Sequence, residues 1–149
     1  MTDVHSKEIR SKNMAAIKSK NTKPELLIES ILKSSGVKFN KQDKTLPGKP
    51  DFVIEDYRAV IFVHGCFWHG HDCHLFKWPK TRKDFWKKKI TGNQSRDQRN
   101  IQELNNQGWW VLEIWECALK GKKKLTQQGL ARRIENWVQY EMKSETIVG

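Results

Sequence analysis

Apolar residues recur along the chain with two different periods. Leu27, Ile28, Ile31 and Leu32 stand three and four apart, the spacing of one helix face. The helix they predict opens at Thr22-Lys23-Pro24-Glu25, a capping-box sequence with a proline tolerated in the first turn, and Gly36 is its stop. Val37–Phe39 is a short strand candidate, and Leu46-Pro47-Gly48-Lys49-Pro50 is a rigid turn. Asp51–Ile54 and Arg58–His64 are apolar, β-branched runs separated by polar Glu55-Asp56-Tyr57, and they predict a hairpin of buried strands. Asp51 opens one of these strands and His64 closes the other, so an antiparallel pairing sets them side by side. Phe85–Ile90 and Gln94–Gln107 are helical, with a break predicted near Gly92-Asn93 and a stop at Gly108. Ile101 and Leu104 mark the inward face of the second part, and Asp97 falls on that face. Trp109–Trp115 is again a strand. The intervening helix is the crossover that parallel pairing with Arg58–His64 requires, and that pairing would bring Cys117 beside Cys66. Leu130, Ile134, Trp137 and Val138 predict a last amphipathic helix capped at Thr126, while residues 143–149 read as a flexible tail. At the other end, Ser6 to about Ile17 is a short, strongly basic helix. This order predicts one α/β domain over residues 1–149, a sandwich with a short mixed central sheet flanked by helices.

Charge adds a partner to this picture. The 149 residues carry 28 Lys and Arg against 17 Asp and Glu, a formal net charge of +11, which in so small a domain points to nucleic acid. Basic residues are dense at Lys7–Lys20, Lys77–Lys89 and Lys120–Lys124, and Trp68, Trp78 and Trp86 are interleaved with them, as base stacking or intercalation requires. No apolar segment is long enough to span a bilayer, and the start lacks a signal-peptide pattern. Cytoplasmic residence is expected, where thiols stay reduced. Three cysteines cannot all pair within one chain, so metal ligation is their better use.

The candidate chemistry is concentrated in residues 60–74, VIFVHGCFWHGHDCH, where a buried strand runs into His64, Cys66, His69, His71, Cys73 and His74. Structural zinc takes four Cys or His ligands in a tetrahedron. Cys66, Cys73 and Cys117 supply three, and one of the nearby histidines the fourth, His71 being best placed between two of the cysteines. Such a set has no open position and would staple the loop without catalysing anything. His64 and His69 then remain, with Asp51, Glu25 and Asp97. Phosphodiester hydrolysis needs a hard cation, a base for water and an acid for the leaving oxygen. Asp51 with a strand carbonyl such as that of Val63 suits Mg²⁺, and either histidine could carry the proton.

These residues are ones a known family shares. RSKNM (Arg10–Met14), LPGKPDFV (Leu46–Val53), VIFVHGCFWHGHDC (Val60–Cys73), Arg82–Ile90, Arg96-Asp97 and WECAL (Trp115–Leu119) closely resemble the very short patch repair (Vsr) DNA mismatch endonucleases, over about residues 3–140. The resemblance implies a restriction-endonuclease-like three-layer core with structural zinc. It implies Mg²⁺-dependent nicking 5′ of the T in T:G mismatches left by 5-methylcytosine deamination. It implies Asp51 as catalytic metal ligand with the Val63 carbonyl, His64 and His69 as proton-transfer and phosphate-contacting groups, Asp97 in support and Glu25 near the site. Cys66, His71, Cys73 and Cys117 match the zinc ligands. Phe67, Trp68 and Trp86 match aromatics that wedge into DNA beside the mismatch, and Met14 a wedge from the other groove. Residues 1–20 would then dock on DNA, with Lys12 and Lys89 among the DNA contacts. The expected partners are double-stranded DNA with a T:G mismatch and mismatch-repair proteins, and the expected state is a monomer associated with the nucleoid. Two other readings fit part of this chemistry. One is a sequence-specific restriction-type endonuclease on the same core. The other is a non-catalytic zinc-stapled DNA-binding module, which leaves Asp51, His64, His69 and Asp97 idle.

Overall fold

The structure, a computed structural model, describes residues 23–141 and 143–149. Lys12, Met14 and the basic helix expected over Ser6–Ile17 lie outside the described residues. Helix α1 spans Lys23–Ser34 and strands β1, β2 and β3 span Asn40–Lys41, Phe52–Ile54 and Ala59–His64. Helix α2 (Lys83–Asn106), strand β4 (Trp110–Trp115), helix α3 (Gln127–Asn136) and strand β5 (Glu145–Ile147) follow. The five strands form one mixed sheet in the order β1-β2-β3-β4-β5. The β2–β3 hairpin is antiparallel, with Phe52 opposite Ile61, and β3 pairs in parallel with β4, with His64 opposite Trp115.

Period-2 alternation sorts each strand between two cores. Phe52, Ile54, Ile61, Leu112 and Ile114 face one side, where Ile28, Leu32, Leu130 and Ile134 bring α1 and α3 against them. Val53, Val60, Phe62 and Val111 face the other, under Leu104 of α2. The sheet thus lies between helices on both faces, as the element order predicts. Thr126 caps α3, its hydroxyl accepting from Gly129 N–H at 3.0 Å.

Three expectations are corrected. The first strand is Asn40–Lys41 and not Val37–Phe39. Phe39 lies just before it, edge-on to Phe52 at 5.5 Å between ring centroids, so its side chain joins the core without its backbone joining the sheet. The break near Gly92-Asn93 does not occur, since α2 runs unbroken for 24 residues. A mid-helix glycine costs about 1 kcal/mol, and here the neighbouring side chains hold the segment: Asn93 Nδ2 donates to Trp68 O at 2.8 Å and Gln94 Nε2 to Gly70 O at 3.1 Å. The end of the chain is not a free tail. Glu145–Ile147 adds a parallel edge strand to β4, Ile147 is fully buried, and Gly149 N–H donates to Cys117 Sγ at 3.3 Å. Burying one isoleucine gives about 2 kcal/mol, enough to anchor a strand too short to show a period.

Candidate functional site

The site is assembled at the C-terminal ends of β3 and β4, on the α2 side of the sheet. Alternation puts Asp51, Phe62, His64, Glu113 and Trp115 on this face, with the side chains of Val60 and Val111. Asp51 accepts a hydrogen bond from Val63 N–H at 2.7 Å, so the end of the hairpin brings its carboxylate beside His64 as the sequence predicts. Burial, with Glu25 adding repulsion, raises the Asp51 carboxyl from its ordinary value to about 7 against the pull of the Val63 N–H. Glu25 is itself buried and accepts from Gln42 Nε2 at 2.8 Å.

His64 is buried, and its Nε2 lies 3.1 Å from Glu113 Oε2. The two atoms are close without making a hydrogen bond. The His69 ring lies 4.3 Å from the His64 ring, and its Nδ1 is hydrogen-bonded to Asp97 Oδ2. Asp97 therefore pairs with an imidazole across the fold and not with Arg96 or Arg99 along the helix. A small cavity of about 200 Å³ is lined by Asp51, Val63, His64, His69 and Asp97. It shares four of these residues with a larger open cleft of about 730 Å³, bordered by Glu25, Phe67, Trp68, Lys89 and Asn93.

The loop after β3 holds a second group. Cys66, His71, Cys73 and Cys117 bring their ligand atoms within 4.8 Å of one another. Cys66 Sγ and Cys117 Sγ stand 3.6 and 3.7 Å from His71 Nδ1. Tetrahedral coordination with bonds of about 2.3 Å to sulfur and 2.05 Å to nitrogen separates S and N by about 3.6 Å. The donor set therefore fits a metal ion. Burial, together with the nearby Cys117 and Cys73 thiols, pushes the Cys66 thiol up, and a bound cation reverses that by stabilising thiolates. Burial also holds His71 low, in the neutral form a ligand needs.

Phe67, Trp68 and Trp86 form one aromatic cluster, with ring centroids 5.3–5.9 Å apart. Gly70 seats the loop on α2. It adopts φ +61°, and a Cβ there would stand 2.5 Å from Gln94 Nε2 and 2.6 Å from Ile90 Cγ2.

Two residues escaped the sequence reading. Trp115 stacks flat on His71 at 4.1 Å and also packs on His64 at 4.8 Å, so one indole touches a residue of the Cys/His group and a residue of the cleft. Glu113 faces His64. The signal was available, because in WWVLEIW a Glu and a Trp share the parity of Val111, and parallel pairing aligns Trp115 with His64.

Hydrolysis of a phosphodiester asks for such a neighbourhood, in which donors able to hold a cation lie beside groups able to move a proton. Comparison with known proteins narrows this. Residues 2–75 match the model of the family DNA mismatch endonuclease Vsr. The chain is 53% identical over 138 residues to the DNA mismatch endonuclease Vsr of Escherichia coli, covering 93% of this chain and 88% of that one. It is 47% identical over 122 residues to the type II nicking enzyme V.NmeAIP of Neisseria meningitidis (82% and 87% covered) and 48% identical over 119 residues to V.XorIIP of Xanthomonas oryzae (80% and 88%). The chain belongs to the DNA mismatch endonuclease Vsr family. Among the described residues no helix is long and apolar enough to cross a membrane.

Proposed function

We propose that this protein nicks DNA 5′ of the T in a T:G mismatch, using Mg²⁺, on a restriction-endonuclease-like core stapled by zinc. One observation carries the reading: the Asp51 carboxylate, the His64–His69 pair and Asp97 line one cavity, which opens into a cleft edged by Phe67 and Trp68. Asp51 is a buried carboxylate with a second carboxylate, Glu25, close enough to repel it, so a divalent cation at Asp51 and the Val63 carbonyl would relieve both burial and repulsion. When bound, Mg²⁺ neutralises the phosphate charge and polarises the scissile bond.

The chain's own groups do the rest. Asp97 fixes the His69 ring through Nδ1 and leaves Nε2 to exchange a proton with water or the leaving oxygen. His64, backed by Glu113, hydrogen-bonds a phosphate oxygen. Phe67, Trp68 and Trp86 enter the stack beside the mismatch, where unstacking costs least, and Lys89 contacts the DNA at the cleft edge. Zinc is the ion for Cys66, His71, Cys73 and Cys117, because three thiolates and an imidazole suit a borderline ion in a tetrahedron. Met14 and Lys12, outside the described residues, are proposed as further DNA contacts. The protein acts as a cytoplasmic monomer and hands its product to mismatch-repair proteins.

The test is a nicking assay on labelled duplexes carrying one T:G mismatch in several sequence contexts, with matched duplex and Asp51→Ala as controls. A single nick 5′ of the T, lost without Mg²⁺ and in Asp51→Ala, is expected. Cutting of matched duplex would establish a restriction-type enzyme instead, and binding without cleavage in any context a non-catalytic module.

A further inference from the structure

His64, His69 and Asp97 bring one ligand atom each within 4.8 Å of one another, separately from the Cys/His group. A second observation bears on the same place. His64 is 5% exposed, and its Nε2, though 3.1 Å from Glu113 Oε2, makes no hydrogen bond among the described residues, which is costly for a buried polar atom. Two imidazoles and one carboxylate are donors that favour first-row transition ions over Mg²⁺, which prefers oxygen alone. The side chains would draw in by about an ångström to reach bonds of about 2.0–2.1 Å. The ion would then take the place of the proton between His69 and Asp97, releasing it to solvent.

We infer that His64, His69 and Asp97 form a second metal site, one that binds Zn²⁺, Co²⁺ or Ni²⁺ and switches the enzyme off. Binding needs only the donor set. The inhibition rests on the proposed function, because an ion held there occupies the two imidazoles that handle the proton and the phosphate. The two sites share no ligand residue, so an ion in the cleft is not passed to the Cys/His group by a shared ligand. The metal that staples the loop at one equivalent thus becomes an inhibitor at two.

Cobalt separates the two sites by colour, because only thiolate ligands give an intense charge-transfer band. Co²⁺ is titrated into protein carrying one zinc per chain, and bound metal is counted after desalting. Uptake of one Co²⁺ per chain with weak visible bands and no thiolate band is expected. Asp97→Asn and His69→Ala should each weaken it about tenfold or more. Retention of one zinc and an unchanged melting temperature show that these variants are folded. Uptake of no cobalt, a thiolate band, or equal affinity in both variants would overturn the site. Nicking of a T:G duplex in saturating Mg²⁺ should fall with the same midpoint as cobalt uptake, and unaffected nicking would overturn the switch. Protein that takes up cobalt as expected but nicks no duplex with Mg²⁺ alone refutes the proposed function and leaves the binding site standing.

Discussion

Two donor groups built from one loop behave as opposites. The Cys/His group is closed, with Cys66 and Cys117 buried, His71 and Cys73 partly so, and three thiols and an imidazole spaced for a tetrahedron. The cleft beside it is unfinished: Asp51 is held near 7 and His64 keeps a nitrogen without a hydrogen bond. Chain positions are divided between them, with His64 and His69 in the cleft and Cys66, His71 and Cys73 in the Cys/His group, and Trp115 packs on both His71 and His64. The lesson is one of division: one short stretch of chain feeds a closed set of donors suited to a metal ion and an open set suited to exchange with solvent.

The largest effect should come from breaking the staple. Cys117→Ser, or removal of the metal by a chelator, is expected to cost more than about 4 kcal/mol and to unfold the loop, because metal binding there is part of folding. Thermal denaturation with and without chelator reads this. A Cys117→Ser protein as stable as the parent would show that the group holds no structural ion. Breaking the cleft should do the reverse. His69→Ala is expected to lower the nicking rate about 10²–10⁴-fold while leaving the melting temperature within a few degrees; a single-turnover assay beside a thermal scan decides it.

Smaller effects sharpen the contrast. The folded-state value of Asp51 is raised, so ionising this group opposes folding. The penalty is absent below about pH 4, where the carboxyl is protonated in both states, and grows as pH rises towards 7, where the folded form also ionises. Asp51→Asn should therefore stabilise the Mg²⁺-free protein by a few kcal/mol at pH 8 and by nothing at pH 3.5, as denaturant titration at the two pH values would show. In the parent, apparent Mg²⁺ affinity should fall about tenfold per unit below pH 7, since proton and cation compete for one carboxylate. The smallest change is Trp115→Phe, which keeps a ring against His71 and His64 and should cost about 1 kcal/mol in thermal stability.

Much of the Cys/His group was legible in the residues, because thiols and imidazoles have few other reasons to crowd one loop. The meeting of Cys66 and Cys117 followed from parallel pairing of two apolar strands, and the meeting of Asp51 and His64 from a hairpin. Asp97 was readable as an inward carboxylate by its spacing from Ile101 and Leu104. Glu113 was not noticed because a lone Glu in an apolar strand looks like a solvated position until its neighbour is known. Gly92-Asn93 suggested a helix break because local propensity cannot see Asn93 bonding to a carbonyl across the fold. Glu145–Ile147 looked frayed because three residues carry no period.

By itself the sequence determined the order of elements from α1 to α3, the two faces of the longer strands, the crowding of cysteines and histidines after β3, and the basic, tryptophan-rich character of the chain. These are properties of local spacing and residue chemistry, and they hold whatever the rest of the chain does. Only the tertiary structure decided that His69 pairs with Asp97, that Glu113 stands beside His64, and that Trp115 packs on both His71 and His64. Those contacts join residues far apart in the chain, and their geometry is fixed by how α2 and β4 pack together, which no local pattern contains.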